Sequence, residues 1–110
     1  MSISAEPVDK VENMHSFAEF YPFYLGEHAN RTCRRLHFVG SSLGLAWLAT
    51  AIYTGQLRWV LIGLLCGYAF AWVGHFGFEK NKPASFKRPL YSFMGDWAMY
   101  RDIWLRRIPF

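Results

Sequence analysis

The sequence predicts an all-α protein, a small integral membrane bundle in which a two-helix transmembrane hairpin is flanked by interfacial or amphipathic helices. Hydrophobic residues make up 53% of the 110 residues and charged residues only 18%, below the roughly 25% of soluble domains. Residues 38–57 and 59–74 form two runs without charge. The basic residues lie almost entirely outside these runs, and the net charge of +4 is too small to indicate a nucleic-acid partner.

The chain divides into a polar lead-in, residues 1–15, and one helical domain, residues 16–110. The lead-in contains no apolar stretch of the kind that a signal peptide needs. Ser16 and Glu19 have the spacing of a capping box, which predicts the start of a helix. Because proline is tolerated in a first turn and breaks a helix interior, we expect this helix to be brief, with a new start near Pro22.

The first uncharged run, residues 38–57, would extend about 30 Å as one helix, which is the thickness of the bilayer hydrocarbon. Small residues near its start would let a second helix approach closely; these are Gly40, Ser41, Ser42, Gly44 and Ala46. Residues 54–56 predict a turn. The second run, residues 59–74, is short for a span, but with its flanks, to residue 78, it completes a helical hairpin.

Basic residues predict the orientation of this hairpin. Eleven lysines and arginines lie before or after the hairpin, and only Arg58 lies at its turn. The positive-inside rule then places both termini in the cytoplasm, and we expect a bacterial inner membrane. Residues 82–89 predict a loop. Pro89 would open an amphipathic helix over residues 90–105, in which Asp96 interrupts an aromatic face.

Three histidines and one carboxylate could meet at the cytoplasmic end of the hairpin. His37 and His75 are equally distant from the turn at Gln56, so an antiparallel pair places them at the same depth. His28 would join them if the chain bends before His37, since nine residues along one straight helix point apart. Glu79 follows His75 by one helical turn. Such a set suits iron, zinc, copper or nickel, although histidines at a helix end can also be hydrogen-bonded without a metal.

The same regions carry a family resemblance. The segments FYLGEHANRTCRRLHFVGSSL and GYAFAWVGHFGFEKNKPASFKRPLYSFMGDWAMY resemble the two signature blocks of the 2-hydroxy fatty acid dioxygenase family. The elements E-H-x-N, L-H-x-x-G and G-H-F-x-x-E-x-N-x-P match at residues 27–30, 36–40 and 74–83. The resemblance extends over residues 16–105.

The resemblance implies an iron(II)-dependent (Fe²⁺) enzyme that uses O2 to shorten 2-hydroxy fatty acids by one carbon, with membrane lipid as its surroundings. It implies His28, His37 and His75 as iron ligands. Glu79 is then a fourth ligand or a group that orients His75. Residues expected to orient ligands through hydrogen bonds are Asn30, Asn81 and Asp96. Basic residues expected to bind the substrate carboxylate are Arg31, Arg34, Arg35, Lys80 and Lys82, with the acyl tail directed toward Trp47, Phe70 and Trp72.

Two alternatives remain open from the sequence. The protein could be a non-catalytic membrane hairpin that holds lipid or a partner, or it could use its histidines for another metal, as a zinc hydrolase or a haem protein. A homo-oligomer is compatible with each of these functions. His15 lies in the lead-in, and we expect it to have no part in the site.

Overall fold

The computed structural model describes residues 14–83 and 87–110, which are helical and contain no strand. The predicted all-α fold is confirmed for these residues. The elements are α1 (Phe17–Gly26), α2 (Arg31–Thr54), α3 (Arg58–Val73), a π-helical turn (Gly74–Glu79) and α4 (Pro89–Trp104). Most of the predicted lead-in and residues 84–86 of the predicted loop lie outside the described residues.

Helix α1 begins where the capping pattern predicts. The Ser16 hydroxyl accepts a hydrogen bond from the backbone N–H of Glu19 at 3.2 Å. The expected interruption at Pro22 is wrong, because α1 continues through it to Gly26. An interior proline costs a helix about 3 kcal/mol, and α1 offsets this cost by burying Phe20 and Tyr24 against α4.

Helices α2 and α3 form the predicted hairpin. Helix α2 ends at Gly55, whose φ of 70° is left-handed and whose N–H bonds to the carbonyl of Ala51, as is usual for a glycine that follows a helix. Helix α2 begins at Arg31, seven residues before the uncharged run, because Asn30 caps it. The polar segment from Arg31 to His37 is therefore the first two turns of the hairpin.

Glycines bring the two helices into backbone contact. A Cβ atom on Gly40 would lie 2.9 Å from the Phe70 Cβ, and one on Gly63 would lie 3.1 Å from the Gly44 carbonyl oxygen. At 2.9 Å the facing helix must shift to admit a larger residue, and at 3.1 Å it must move by a few tenths of an ångström. The predicted close approach at Gly40 and Gly44 is thus confirmed, with Gly67 and Gly63 facing them.

Two helical segments are long and apolar enough to cross a membrane by length and composition, Arg31–Thr54 and Arg58–Glu79. Only 17% of the most apolar window of each segment is buried, whereas the core helix of a soluble protein is mostly buried. Outward-facing side chains such as Ile52, Leu57 and Leu65 are 70–75% exposed. Their apolar surface suits a lipid environment.

The other end of the molecule has a compact core between α1 and α4. Phe20, Tyr24, Met99 and Ile103 are buried together. The ring of Tyr24 lies so close to Gly95 that a Cβ atom there would be 2.8 Å from it. Helix α4 has Pro89 in its first turn, as predicted. This packing fixes the ring of Tyr24 beside the histidines.

Candidate metal centre

Three histidines from three different elements converge at this end. His28 lies in the turn between α1 and α2, His37 lies in α2, and His75 lies in the π-helical turn. The Nε2 atom of His28 is 3.1 Å from that of His37 and 2.9 Å from that of His75. The side chains are almost fully buried, with exposed fractions of 2%, 5% and 2%.

The opposite ring nitrogens determine the tautomers. Nδ1 of His28 donates to the Tyr24 carbonyl at 2.7 Å, and Nδ1 of His37 donates to the Cys33 carbonyl at 2.9 Å. Nδ1 of His75 donates to Oδ1 of Asn81 at 2.7 Å. Since these oxygens can only accept, each neutral ring carries its proton on Nδ1 and leaves Nε2 as a lone-pair acceptor.

The orientation of the Asn81 amide is itself fixed by a second contact. Its Nδ2 donates to the carbonyl of Glu27 at 3.2 Å and to the Glu27 carboxylate at 3.0 Å. The amide oxygen therefore faces His75. A hydrogen-bonded partner on the outer nitrogen is the usual arrangement for a histidine that binds a metal.

The Nε2 lone pair of His28 faces those of His37 and His75 at about 3 Å, and such lone pairs repel unless a cation lies between them. Burial, followed by the neighbouring His37 and His75, holds the pKa of His28 well below its usual range, so this ring stays neutral at pH 7. The donor set of three neutral imidazoles is of the kind that binds iron, zinc, copper or nickel. The residues present thus fit a metal ion.

The π-helical turn carries both His75 and Glu79. Its i→i+5 bonding brings the N–H of Lys80, a residue with φ of 64°, to the His75 carbonyl. Glu79, expected as a fourth ligand or as the group that orients His75, accepts the backbone N–H of Asn30 through Oε1 at 2.7 Å, and the hydrogen-bond partner of His75 Nδ1 is Asn81. The cluster of converging ligand atoms in the described part of the chain consists of the three histidines.

Two cavities adjoin the cluster. A small one, about 20 Å³, is lined by the three histidines together with Tyr24, Asp96 and others. A larger one, about 220 Å³, lies between α2, α3 and α4. His37 and Asp96 line both cavities, so the larger one reaches the histidines.

Tyr24 and Asp96 form a buried pair at this junction. The Tyr24 hydroxyl donates to the Asp96 carboxylate, and the Tyr24 ring stacks on the His28 ring at a centroid distance of 4.0 Å. Burial raises the pKa of Asp96 to about 7, partly offset by the hydrogen bond from Tyr24. Asp96, expected to orient a ligand, is thus hydrogen-bonded to the residue that stacks on His28 and lines the small cavity with the three histidines.

A comparison with models of known families assigns the chain to one of them. A family model described as 2-hydroxy-palmitic acid dioxygenase Mpo1-like matches residues 14–108, which include all three histidines. The chain belongs to the Mpo1-like family. The resemblance found from the motifs is thereby confirmed. No curated protein and no solved structure matched this Mpo1-like chain.

The basic residues of this Mpo1-like protein have two kinds of surroundings. Arg34 donates to the carbonyls of His28 and Ala29 at 3.2 and 2.7 Å and so fixes the turn that holds His28. Arg35 donates to the Phe110 carbonyl and lies over its ring. The remaining three residues expected to bind substrate are exposed: Arg31, Lys80 and Lys82.

Other expected and unexpected residues complete the Mpo1-like site. Asn30 caps α2 by accepting the N–H of Cys33 at 3.0 Å. Trp72 lines the small cavity, whereas Trp47 and Phe70 are not among the described residues that line either one. His15 is exposed and outside the cluster. Sequence reasoning missed the roles of Tyr24, Glu27, Cys33 and Gly95, because a backbone carbonyl or a missing Cβ carries no chemical signal in a sequence.

Proposed function

We propose that this Mpo1-like protein is an iron(II)-dependent dioxygenase that shortens 2-hydroxy fatty acids by one carbon. The observation that carries the proposal is the convergence of three buried Nε2 acceptors at the head of an apolar cavity. The family name supports the substrate class and the use of O2. A fatty acid also suits a protein whose long helices have the length and composition of membrane spans.

Iron fits this chemistry better than zinc or haem. Zinc has no redox chemistry, and a dioxygenase must pass electrons from its substrate to O2. When bound, iron(II) supplies the redox chemistry that allows O2 to react with an organic substrate. Haem would need its flat porphyrin beside a histidine nitrogen, and Nε2 separations of 2.9 and 3.1 Å leave no room for one between the rings.

The chain positions the metal-binding atoms and excludes water from them. His28, His37 and His75 hold the ion, and their Nδ1–H groups donate to fixed oxygens, so the rings cannot rotate. Such outer hydrogen bonds also make the ligand nitrogen more basic. Asp96 faces both cavities and accepts a hydrogen bond from the 2-hydroxyl of the substrate, while the larger cavity receives the acyl tail.

The overall reaction balances with one O2. The C1–C2 bond of the 2-hydroxy fatty acid breaks, C2 becomes the carboxyl carbon of the shortened acid, and C1 leaves as carbon dioxide. The substrate loses four electrons and O2 gains them, with one water formed. The exposed cations Arg31, Lys80 and Lys82 attract the substrate carboxylate from the membrane surface.

Anaerobic purification followed by metal analysis and product analysis tests the proposal. We expect one iron per chain, and conversion of 2-hydroxypalmitate to the acid one carbon shorter under air but not under nitrogen. Conversion that proceeds equally under nitrogen would exclude O2 as the oxidant and contradict the dioxygenase, and a Soret band would indicate haem. Folded protein that binds no metal would leave the non-catalytic hairpin as the better account.

The proposal includes a membrane topology with both termini in the cytoplasm. The lengths of Arg31–Thr54 and Arg58–Glu79 support two spans, and the basic residues outside the hairpin support the orientation. In sealed bacterial cells, a tag at either terminus should resist protease, and a thiol reagent should label Gln56→Cys above the background of the two native cysteines. Terminal tags that the protease removes, together with an unreactive Gln56→Cys, would reverse the orientation.

A further inference from the structure

We infer that the larger cavity selects substrates by chain length, with Leu48 and Val60 at its far end setting the longest tail that it accommodates. We call this cavity the acyl groove; it extends between α2, α3 and α4 from His37 and Asp96 to Leu48 and Val60. The inference rests on the function proposed above and adds the determinant of its substrate range.

The acyl groove has a polar head and an apolar far end. His37 and Asp96 mark the head, because both also line the small cavity between the histidines. Contacts between Gly40 and Gly67, and between Gly44 and Gly63, show how levels of α2 match levels of α3. The same antiparallel progression places Leu48 near Val60, at the level farthest from the head.

The length of the groove follows from the helix that lines it. Eleven residues separate His37 from Leu48, which is about 16 Å along a helix at 1.5 Å per residue. An extended hydrocarbon chain zigzags, so each C–C bond of about 1.5 Å advances it by only about 1.3 Å. A chain of about 13 carbon atoms therefore has the same length. A long-chain 2-hydroxy acid therefore fills the groove when its C1 and C2 lie at the histidines, and a medium-chain acid leaves the far end empty.

Glycines of α2 and α3 line the groove together with Leu45 and Leu64, and α4 contributes Phe93, Asp96 and Trp97. A Cβ on Gly63 would meet the Gly44 carbonyl oxygen and the Trp47 Cβ, both at 3.1 Å, so the two helices approach each other closely beside the groove. Helix α4 meets α2 near the head, where Ser42 Oγ lies 2.9 Å from the Tyr100 hydroxyl.

Position 44 offers a way to shorten the groove without the clash expected at the other glycines. A Cβ on Gly44 would have only an ordinary contact, 3.6 Å from the Gly63 carbonyl. In Gly44→Leu the added side chain fills the groove about 10 Å from His37, seven residues along the helix. Leu48→Trp fills the far end, and Leu48→Ala enlarges it. Ile52→Trp, on a residue 75% exposed and outside the groove, is the matched control.

The experiment measures kcat/KM for 2-hydroxydecanoate and 2-hydroxypalmitate with the full chain in lipid nanodiscs. We expect Gly44→Leu to lower the ratio of kcat/KM for 2-hydroxypalmitate to kcat/KM for 2-hydroxydecanoate at least tenfold, with iron content unchanged. Leu48→Trp should lower this ratio less. Leu48→Ala should extend the range to longer acids, and Ile52→Trp should leave the ratio as it is. If Gly44→Leu does not fold, the two Leu48 variants decide. Unchanged ratios in folded, iron-containing variants would overturn the inference.

A binding measurement separates this inference from the proposed reaction. A 2-hydroxy fatty acid with a diazirine at its far end, photolysed under nitrogen, should label the peptides that contain Leu48 or Val60 in wild type and lose that label in Gly44→Leu. Label at this position without any turnover would support the groove and contradict the dioxygenase. Turnover with the label elsewhere, or with phospholipid occupying the groove, would contradict the inference that the groove binds the acyl tail. The proposed dioxygenase reaction would remain supported.

Discussion

The end of the molecule that carries the histidines is held by directed hydrogen bonds, whereas the hairpin between Gly40 and Gly67 is held by backbone contact. At the histidine end, almost every buried polar atom has a named partner, as His75 has in Asn81. In the hairpin, the decisive contacts are between glycines and the opposing chain. The comparison teaches that the two regions tolerate different substitutions. At the histidine end, a substitution of the same size that removes a hydrogen-bonding atom should be harmful. In the hairpin, a substitution that adds volume should be harmful.

The largest expected effect is the loss of a ligand. Alanine at His28, His37 or His75 should remove most of the bound iron and nearly all turnover, since each deletes one of three nitrogens that meet at one point. Metal analysis and oxygen uptake measure both effects. His15→Ala is the control and should change neither. A folded His75→Ala protein with full iron and full turnover would contradict the site.

The next effect comes from the groups behind the ligands. Asn81→Ala removes the acceptor of the His75 Nδ1–H, and such losses typically cost tenfold to a hundredfold in metal affinity or activity. Glu79→Gln keeps an oxygen for the Asn30 N–H, so we expect it to retain iron and most activity. Competition with a chelator gives the affinities. Loss of iron in Glu79→Gln would instead make Glu79 a ligand.

The hairpin should respond to single methyl groups in an asymmetric way. Gly40→Ala and Gly63→Ala introduce contacts of 2.9 and 3.1 Å, and overpacking of this kind typically costs about 1–3 kcal/mol. Gly44→Ala and Gly67→Ala introduce ordinary contacts of 3.6 and 3.7 Å and should be neutral or stabilising, because alanine favours helix. Thermal unfolding in detergent compares the four. Equal destabilisation by all of them would remove the contrast between the two regions.

The smallest effect concerns a hydrogen-bonded ion pair at the edge of the histidine end. The hydrogen bond from Arg101 lowers the pKa of Asp102, and Tyr21 also donates to this carboxylate at 2.8 Å. A carboxyl with a lowered folded-state pKa stabilises the fold above its unfolded pKa and loses that contribution as the pH falls through the folded value. Asp102→Asn should therefore cost up to about 1 kcal/mol at pH 7, and the difference from wild type should shrink below pH 4.

A difference in stability that did not change with pH would assign the effect of Asp102 to packing rather than to charge. Denaturation of wild type and Asp102→Asn at pH 7 and pH 3 makes this comparison. Asp102 lies on α4, outside the histidine cluster, so iron content should be the same in both proteins and serves as the control.

The sequence was sufficient for the hairpin and for the three histidines because both depend on regular features. Uncharged runs of membrane length predict helices, and the equal distance of His37 and His75 from Gln56 predicts their common depth. It was insufficient where a local rule gave way to tertiary structure. Pro22 remains inside α1 because burial of Phe20 and Tyr24 in the core stabilises the helix by more than the lost hydrogen bond destabilises it. Glu79 is not among the converging ligand atoms of the described residues, because its carboxylate accepts the backbone N–H of Asn30.

The π-helical turn shows where the chain can absorb a change in length. Such a turn holds one residue more than an α-helical turn for about the same rotation, so the extra residue between Gly74 and Glu79 leaves the following chain nearly in phase. Deleting one residue from α3 would instead rotate His75 by about 100° relative to the face that packs on α2. Every ligand would still be present in such a protein, but the imidazole of His75 would face away from those of His28 and His37. A relative with a one-residue gap in α3 would keep the motif as letters and lose it as geometry.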